Sequence, residues 1–268
     1  MSPIISDYHM HTPLCGHAKG DPQMYAQHAV TTGLREIGFT DHAPLFTHRD
    51  PTISMDHSQL PVYHHMIESV RSEFADKLTV RVGIEADYIP GYEERTKKML
   101  AEYPYDYVIG SVHFMEKWGF DDPIQMKEWS ARDVNEVYRE YHRLLRKSAL
   151  SRLFDILGHV DLVKKFNFRP TIDITSEIEE NARVFKRTGV VIEINSSGLR
   201  KPAQEIYPSL HDLKIYQAKG VPITFGSDAH EPTDVGRDFD KSLELARAAG
   251  YTEYVQFEGR KIARTIKW

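Results

Sequence analysis

The chain has 268 residues, 41% hydrophobic and 27% charged, with a formal net charge of −5, a composition that suits a soluble globular protein large enough for a full core. That charge gives no electrostatic case for nucleic acid or an anionic membrane as partner, no apolar run approaches a membrane span, and the opening MSPIISDYHMH lacks the basic-then-apolar order of a signal peptide. The single Cys15 excludes an internal disulfide and fits a reducing compartment, so the expected location is cytoplasmic.

In chain order, strand-like runs alternate with helix-like ones. Ile4–His9 reads as a strand. Pro22–Thr32 reads as a helix, with Asp21 as N-cap, Pro22 at the first position and Gly33 as stop. There follow strand Glu36–Thr40, helix Asp56–Phe74, strand Thr79–Glu85, helix Tyr92–Glu102, strand Tyr107–Val112 and helix Ala131–Leu150. The second half reads as strand Asp155–Val160, helix Ser176–Arg187, strand Val190–Asn195, helix Ser209–Lys219, strand Pro222–Gly226, helix Phe239–Ala249 and a short last strand Tyr254–Phe257. Repeated β-then-α units imply parallel strands with right-handed crossovers. Over residues 1–268, with no linker composition anywhere, they predict one domain built as a closed α/β barrel. The alternative is an open doubly wound sheet, which would gather ligands at a single crevice.

The strand ends favour closure. His9 and His11, with His17 just after, close the first run. Asp41-His42 closes the second, Glu85 the third, His113 the fourth, His159 the fifth and Asp228-x-His230 the seventh. His9-x-His11 alone is close to chance in a chain with 14 His; the placement on one predicted rim is not. Residues i and i+2 of a strand point the same way, so each His-x-His or Asp-x-His pair can address one metal. Nine candidates, namely His9, His11, His17, His42, Glu85, His113, His159, Asp228 and His230, are too many for one four-coordinate zinc and suit two or three first-row ions such as Zn, Fe or Mn. Cys15 reads as a bystander in a turn. His28, His57, His64, His65, His142 and His211 fall on helical stretches and read as surface or helix-face residues. Such metal clusters typically hydrolyse phosphate esters through a bridging hydroxide, with Glu85 the natural bridging carboxylate.

These residues, in this order, resemble the polymerase and histidinol phosphatase (PHP) family across essentially the whole chain. The resemblance implies a distorted (β/α)7 barrel, TIM-like with parallel strands, and three divalent metal ions at the C-terminal strand ends. It implies His9, His11, Glu85 and Asp228 at one ion, Glu85, His113 and His159 at a second, and His17, His42 and His230 at a third. Gly38-Phe39-Thr40-Asp41-His42-Ala43-Pro44, Gly83-Ile84-Glu85-Ala86-Asp87-Tyr88, Ser111-Val112-His113-Phe114, Asn195-Ser196-Ser197-Gly198-Leu199-Arg200-Lys201 and Phe225-Gly226-Ser227-Asp228-Ala229-His230 are similar to the monofunctional histidinol-phosphatase branch. That branch implies hydrolysis of L-histidinol phosphate to L-histidinol and phosphate in histidine biosynthesis. The alternatives are another PHP phosphomonoesterase, acting on phosphotyrosine or nucleotides, and a metal-binding domain without turnover.

Around the metals, a phosphomonoester dianion calls for cationic donors. Arg200 follows a strand end and a Ser-Ser-Gly turn and is the expected phosphate ligand and charge stabiliser; Lys165, after His159, is a second candidate. Asp41 and His48 are both candidates for protonating the leaving oxygen. Asp87, Phe114 and Trp118, on the rim segments, are expected to line the outer pocket for an imidazole and an ammonium. Residues 43–56 and 113–130 read as long rim loops. The expected partner is a small-molecule phosphomonoester, with no nucleic acid and no membrane, and the protein is expected as monomer or homodimer.

Overall fold

The computed structural model describes residues 6–268. Seven parallel strands form the central sheet: β1 (Ser6–Asp7), β2 (Glu36–Phe39), β3 (Thr79–Asp87), β4 (Tyr107–Ser111), β7 (Ile156–Leu157), β8 (Val191–Asn195) and β9 (Ile223–Gly226). Two further pairs are antiparallel: β5 (Phe114–Met115) with β6 (Trp118–Gly119), and β10 (Glu253–Glu258) with β11 (Lys261–Lys267). The parallel ring closes where Tyr8 N–H donates to Phe225 O at 3.0 Å and Met10 bridges Ala229. The closed barrel is therefore the observed alternative, and the open sheet is excluded. Of the first predicted strand, residues 4 and 5 lie outside the described range.

Helices α1 (Pro22–Thr32), α2 (Leu60–Glu73), α3 (Glu93–Leu100), α4 (Val134–Ser151), α5 (Thr175–Thr188), α6 (Leu210–Ala218) and α7 (Phe239–Ala249) connect the strands and pack outside them. Their termini follow local chemistry. The Asp133 carboxylate accepts from Asn135 N at the start of α4, and Gly33, Gly189 and Gly250 take left-handed φ at helix ends, where a side chain would be strained. Two of the helical histidines lie on buried helix faces rather than at the surface. His142 is fully buried on α4, and His64 is nearly so, stacked on Tyr103.

Strand alternation sorts the barrel into layers. Val80, Val82 and Ile84 face the helices, while Arg81, Gly83 and Glu85 face inward. At the N-terminal end the interior holds Tyr8, Glu36, Arg81 and Tyr107; above them Ile109, Ile156 and Val191 form an apolar layer; the C-terminal end holds the histidines and acids. The last predicted strand, Tyr254–Phe257, is not an eighth barrel strand. It pairs with β11 as a hairpin that plugs the N-terminal mouth, placing Val255 and Phe257 against Tyr8 and Tyr107. Residues 113–130, expected as loop, contain the small β5–β6 hairpin and a 3-10 stretch, Pro123–Ala131.

Candidate metal centre

The parallel ladder continues past the strand ends and carries the ligand candidates with it. Ala229 N–H donates to His9 O at 3.1 Å, His11 N–H to Ala229 O at 2.9 Å, and Ala43 N–H to Glu85 O at 2.8 Å. The nine predicted residues converge. Glu85 Oε1 accepts from Ser111 Oγ at 2.5 Å and lies 3.1 Å from His159 Nε2 and 3.7 Å from His113 Nε2. Its Oε2 lies 3.0 Å from His42 Nδ1, 3.3 Å from His9 Nε2 and 3.8 Å from His11 Nε2. Imidazoles thus surround both oxygens of one buried carboxylate, the arrangement a bridging ligand needs. Donor atoms of His9, His11 and Asp228, of His9, Glu85 and His159, of His11, His42 and Glu85, and of His17, His42 and His230 lie within 4.8 Å of one another in each set. Two of the positions are held in left-handed backbone, His159 at φ 24° and Asp228 at φ 53°, a strain that surrounding structure must hold in place.

The donor chemistry itself asks for cations. His17 Nδ1 faces the carbonyls of Cys15 and Thr52, each at 3.1 Å, and His230 Nδ1 faces Asp228 O at 3.0 Å. Carbonyls only accept, so both Nδ1 atoms carry the proton and both Nε2 atoms carry lone pairs. Those Nε2 atoms lie 3.0 Å apart, a repulsive pairing of acceptors that an ion between them would resolve. His9 Nε2, Glu85 Oε2 and His159 Nδ1 are buried without a hydrogen-bond partner.

The pKa shifts say the same. Burial lowers His230, and the neighbouring His11 adds to it, holding it well below the usual imidazole range; burial with His42 and His11 takes His17 down to about 4. Burial raises Glu85 and Asp228, but the facing histidines outweigh it and hold both well below the carboxylate range. Burial opposes charging His113, yet Asp87 and Glu85 prevail and push it up to about 10. His17 and His230, held neutral, keep free lone pairs, and the ionised Glu85 and Asp228 beside them supply the negative charge that a divalent cation requires.

Above these residues opens a cavity of about 510 Å³ whose wall includes His48, Phe114, Asp121, Lys165, Arg200 and Lys201. Arg200 Nη2 donates to Ser227 O at 2.7 Å, Nε lies 3.6 Å from Asp234, and Nη1 is buried without a partner. Lys165 pairs with Asp121 at 2.8 Å. His48 stands edge-on to Phe114, its Nδ1 2.9 Å from Thr47 Oγ1. Asp87 also reaches the wall, but its carboxylate is engaged by His113 Nδ1 at 3.0 Å.

Two of the expected site residues outside the ligand set do not line the cavity. Asp41 is fully buried; it accepts from the Thr12 hydroxyl, Thr12 N and His42 N and lies 3.5 Å from His11 Nδ1. It does not line the cavity, because adjacent residues of an extended chain face opposite ways and His42 takes the inward direction. Trp118 is 3% exposed, packed against Trp129 and Phe120 beneath Arg132. It anchors the rim loop by burial.

Residues missed from sequence are Lys201, on the cavity wall, and Glu193, buried beside His9. For Glu193 a signal existed, an acid at an inward position of the apolar run Val190–Ile194.

Comparison with known proteins places the chain in a defined neighbourhood. Residues 7–197 match the family model described as the PHP domain. A protein of Deinococcus radiodurans named "Probable histidinol-phosphatase" is 42% identical over 260 residues, covering 96% of this chain and 98% of its own. The histidinol-phosphatase of Bacillus subtilis is 33% identical over 264 residues, covering 89% of this chain and 98% of its own. Among solved structures, histidinol phosphate phosphatase from Lactococcus lactis, complexed with zinc, L-histidinol and phosphate, superposes with a TM-score of 0.82 at 24% identity, covering 97% of this chain and 98% of that one.

Proposed function

The chain belongs to the PHP domain family, and from that premise we propose that it is a metal-dependent phosphoric monoester hydrolase that cleaves L-histidinol phosphate to L-histidinol and phosphate in histidine biosynthesis. One observation carries the reading. Seven of the nine ligand candidates, all but the fully buried His9 and His11, line the same cavity as the cations Arg200, Lys165 and Lys201, in a chain whose relatives carry the histidinol-phosphatase name. The residues form one catalytic unit that would hold three first-row ions, Zn, Fe or Mn, with His9, His11, Glu85 and Asp228 for one, Glu85, His113 and His159 for a second, and His17, His42 and His230 for a third. When bound, such ions supply Lewis-acid charge against phosphoryl oxygens and make a water acidic enough to ionise near neutral pH.

The chain's own residues do the rest. Arg200 is fixed by Ser227 O, so its guanidinium is held at the cavity wall for a phosphate oxygen, and Lys165 and Lys201 complete a cationic wall where charge grows in the transition state. His48, with Nδ1 against Thr47, offers Nε2 to the leaving oxygen. Phe114 gives the imidazole of the substrate a face to stack on, and Asp50 and Asp122, also on the wall, give its ammonium a counter-charge. No helix among the described residues is long and apolar enough to cross a membrane; the proposed setting is the cytoplasm, as monomer or homodimer.

The test is phosphate release from equal concentrations of histidinol phosphate, phosphotyrosine peptide and nucleoside monophosphates. Histidinol phosphate should be preferred by at least about tenfold in kcat/KM, the discrimination expected from about 1.4 kcal/mol of differential contact. Equal or better turnover of phosphotyrosine would move the assignment to a protein phosphatase, and no turnover of any would leave a metal-binding module.

A further inference from the structure

Among the described residues, β8 is the one barrel strand that ends without any of the nine ligand candidates. It sends Glu193 into the barrel instead, 1% exposed. Glu193 Oε1 lies 2.7 Å from His9 Nδ1; Oε2 accepts His159 N–H at 2.9 Å and Asn195 Nδ2–H at 3.0 Å. Asn195 Oδ1 accepts Ser197 N–H at 2.9 Å, and Ser197 Oγ donates to Asp228 Oδ2 at 3.1 Å. The neighbouring strand β9 leaves room for the carboxylate: a Cβ on Gly226 would lie 1.9 Å from Glu193 Oε1. A carboxylate so accommodated, with three donors drawn from His9, His159 and Asn195, is a constructed feature of the barrel.

We propose that Glu193 is the positioning residue of the metal centre, fixing His9 directly, His159 through its backbone and Asp228 through Asn195 and Ser197. The inference rests on the metal-centre reading above. Its logic is tautomeric. The Glu193 carboxylate takes the Nδ1 side of His9 at 2.7 Å, which turns Nε2 toward Glu85 Oε2, 3.3 Å away, with no hydrogen-bond partner of its own. The same group holds the N–H of His159 at its left-handed φ, a conformation that needs such a restraint. One acid therefore sets ligands that β1, β7 and β9 deliver separately, and the turn that carries Ser197 ends in Arg200.

Glu193→Gln tests this at nearly constant volume. The amide can present N–H to His9 Nδ1, which drives the His9 proton to Nε2 and removes that lone pair. Zinc-loaded wild type and Glu193→Gln are dialysed against graded chelator, and retained metal is read by mass spectrometry alongside the melting temperatures of both metal-free proteins. Expected are metal retention weakened roughly 10–100-fold, a fall in kcat with KM little changed, and metal-free melting temperatures that stay together. Retention equal to wild type overturns the inference, and so does a drop in metal-free melting temperature with retention per folded molecule unchanged. If Glu193→Gln does not fold, the wild type still decides: 15N NMR of the zinc-loaded protein should show His9 protonated at Nδ1, and protonation at Nε2 overturns the inference. Wild type that retains no metal at all overturns the metal-centre reading itself, whereas a retaining wild type with an unaltered variant overturns this inference alone.

Discussion

The two ends of the barrel both bury ionisable side chains, and they balance them differently. At the N-terminal end Glu36 meets Arg264 at 2.7 Å, Arg81 at 3.3 Å and the Tyr8 hydroxyl; Asp106 meets Arg71 at 2.6 Å; Asp155 pairs with Arg260. At the C-terminal end Glu85 and Asp228 face imidazoles, and His17 and His230 point lone pairs at each other. The first end is electrostatically complete with protein groups alone. The second becomes complete when cations join it. A buried charge is tolerated only with partners, so the contrast separates charges that hold the fold from charges that await a ligand.

The sharpest way to break this contrast is to remove the metals. Chelation should abolish phosphate release by about a thousandfold or more, given how much of the barrier metal ions supply, and added Zn or Mn should restore it; full activity in excess chelator would erase the distinction between the ends. The converse is Glu36→Gln, which leaves Arg81 short of its partner at the closed end. It should cost about 3 kcal/mol or more in denaturant unfolding while metal content per folded molecule is unchanged. Loss of metal together with stability would show that the two ends are not separable. Next in size, Arg200→Ala should lower kcat/KM by about a hundredfold, as expected for one donor to developing phosphoryl charge, with metal content intact; an unchanged kcat/KM would remove Arg200 from the site.

The smallest effect sits away from both ends. Burial takes His142 down to about 4 from an unfolded value of 6.5. A depressed folded pKa means that the unfolded chain binds the extra proton as pH falls, so this stabilisation is present above pH 6.5 and is lost toward pH 4. Between pH 7 and pH 5 the loss should be about 2 kcal/mol. His142→Gln should flatten that slope of stability on pH in the metal-free protein, and an identical slope would show that His142 does not carry it.

Much of this was readable from residues alone, for physical reasons. Ligands sit where strands end, so a His or acid after a β-branched run marks the rim, and all nine candidates are brought together there. Helices α1 and α7 match their expected bounds because Pro22, Gly33 and Gly250 fix them locally. What was not legible depends on which side of the backbone a residue takes. Asp41 and His42 are neighbours of equal promise that face opposite ways in an extended chain, and only the fold shows that His42 takes the cavity side and Asp41 the other. Trp118 lies on a rim segment yet points inward, because the β5–β6 hairpin turns it toward Trp129. Strand β11, KIARTIK, is exposed along nearly its whole length; with no buried face it leaves no hydrophobic period to detect.

The closure of β1 against β9 has a consequence in time. His9 comes near the start of the chain and Asp228 near its end, and each reaches the other only when the ring shuts through Tyr8 and Phe225. During synthesis the early histidines emerge long before their acidic counterparts, and contacts so distant in sequence form late. The ligand set is therefore complete only in the closed barrel, and whatever ions it takes would meet their full set of donors after folding rather than during synthesis.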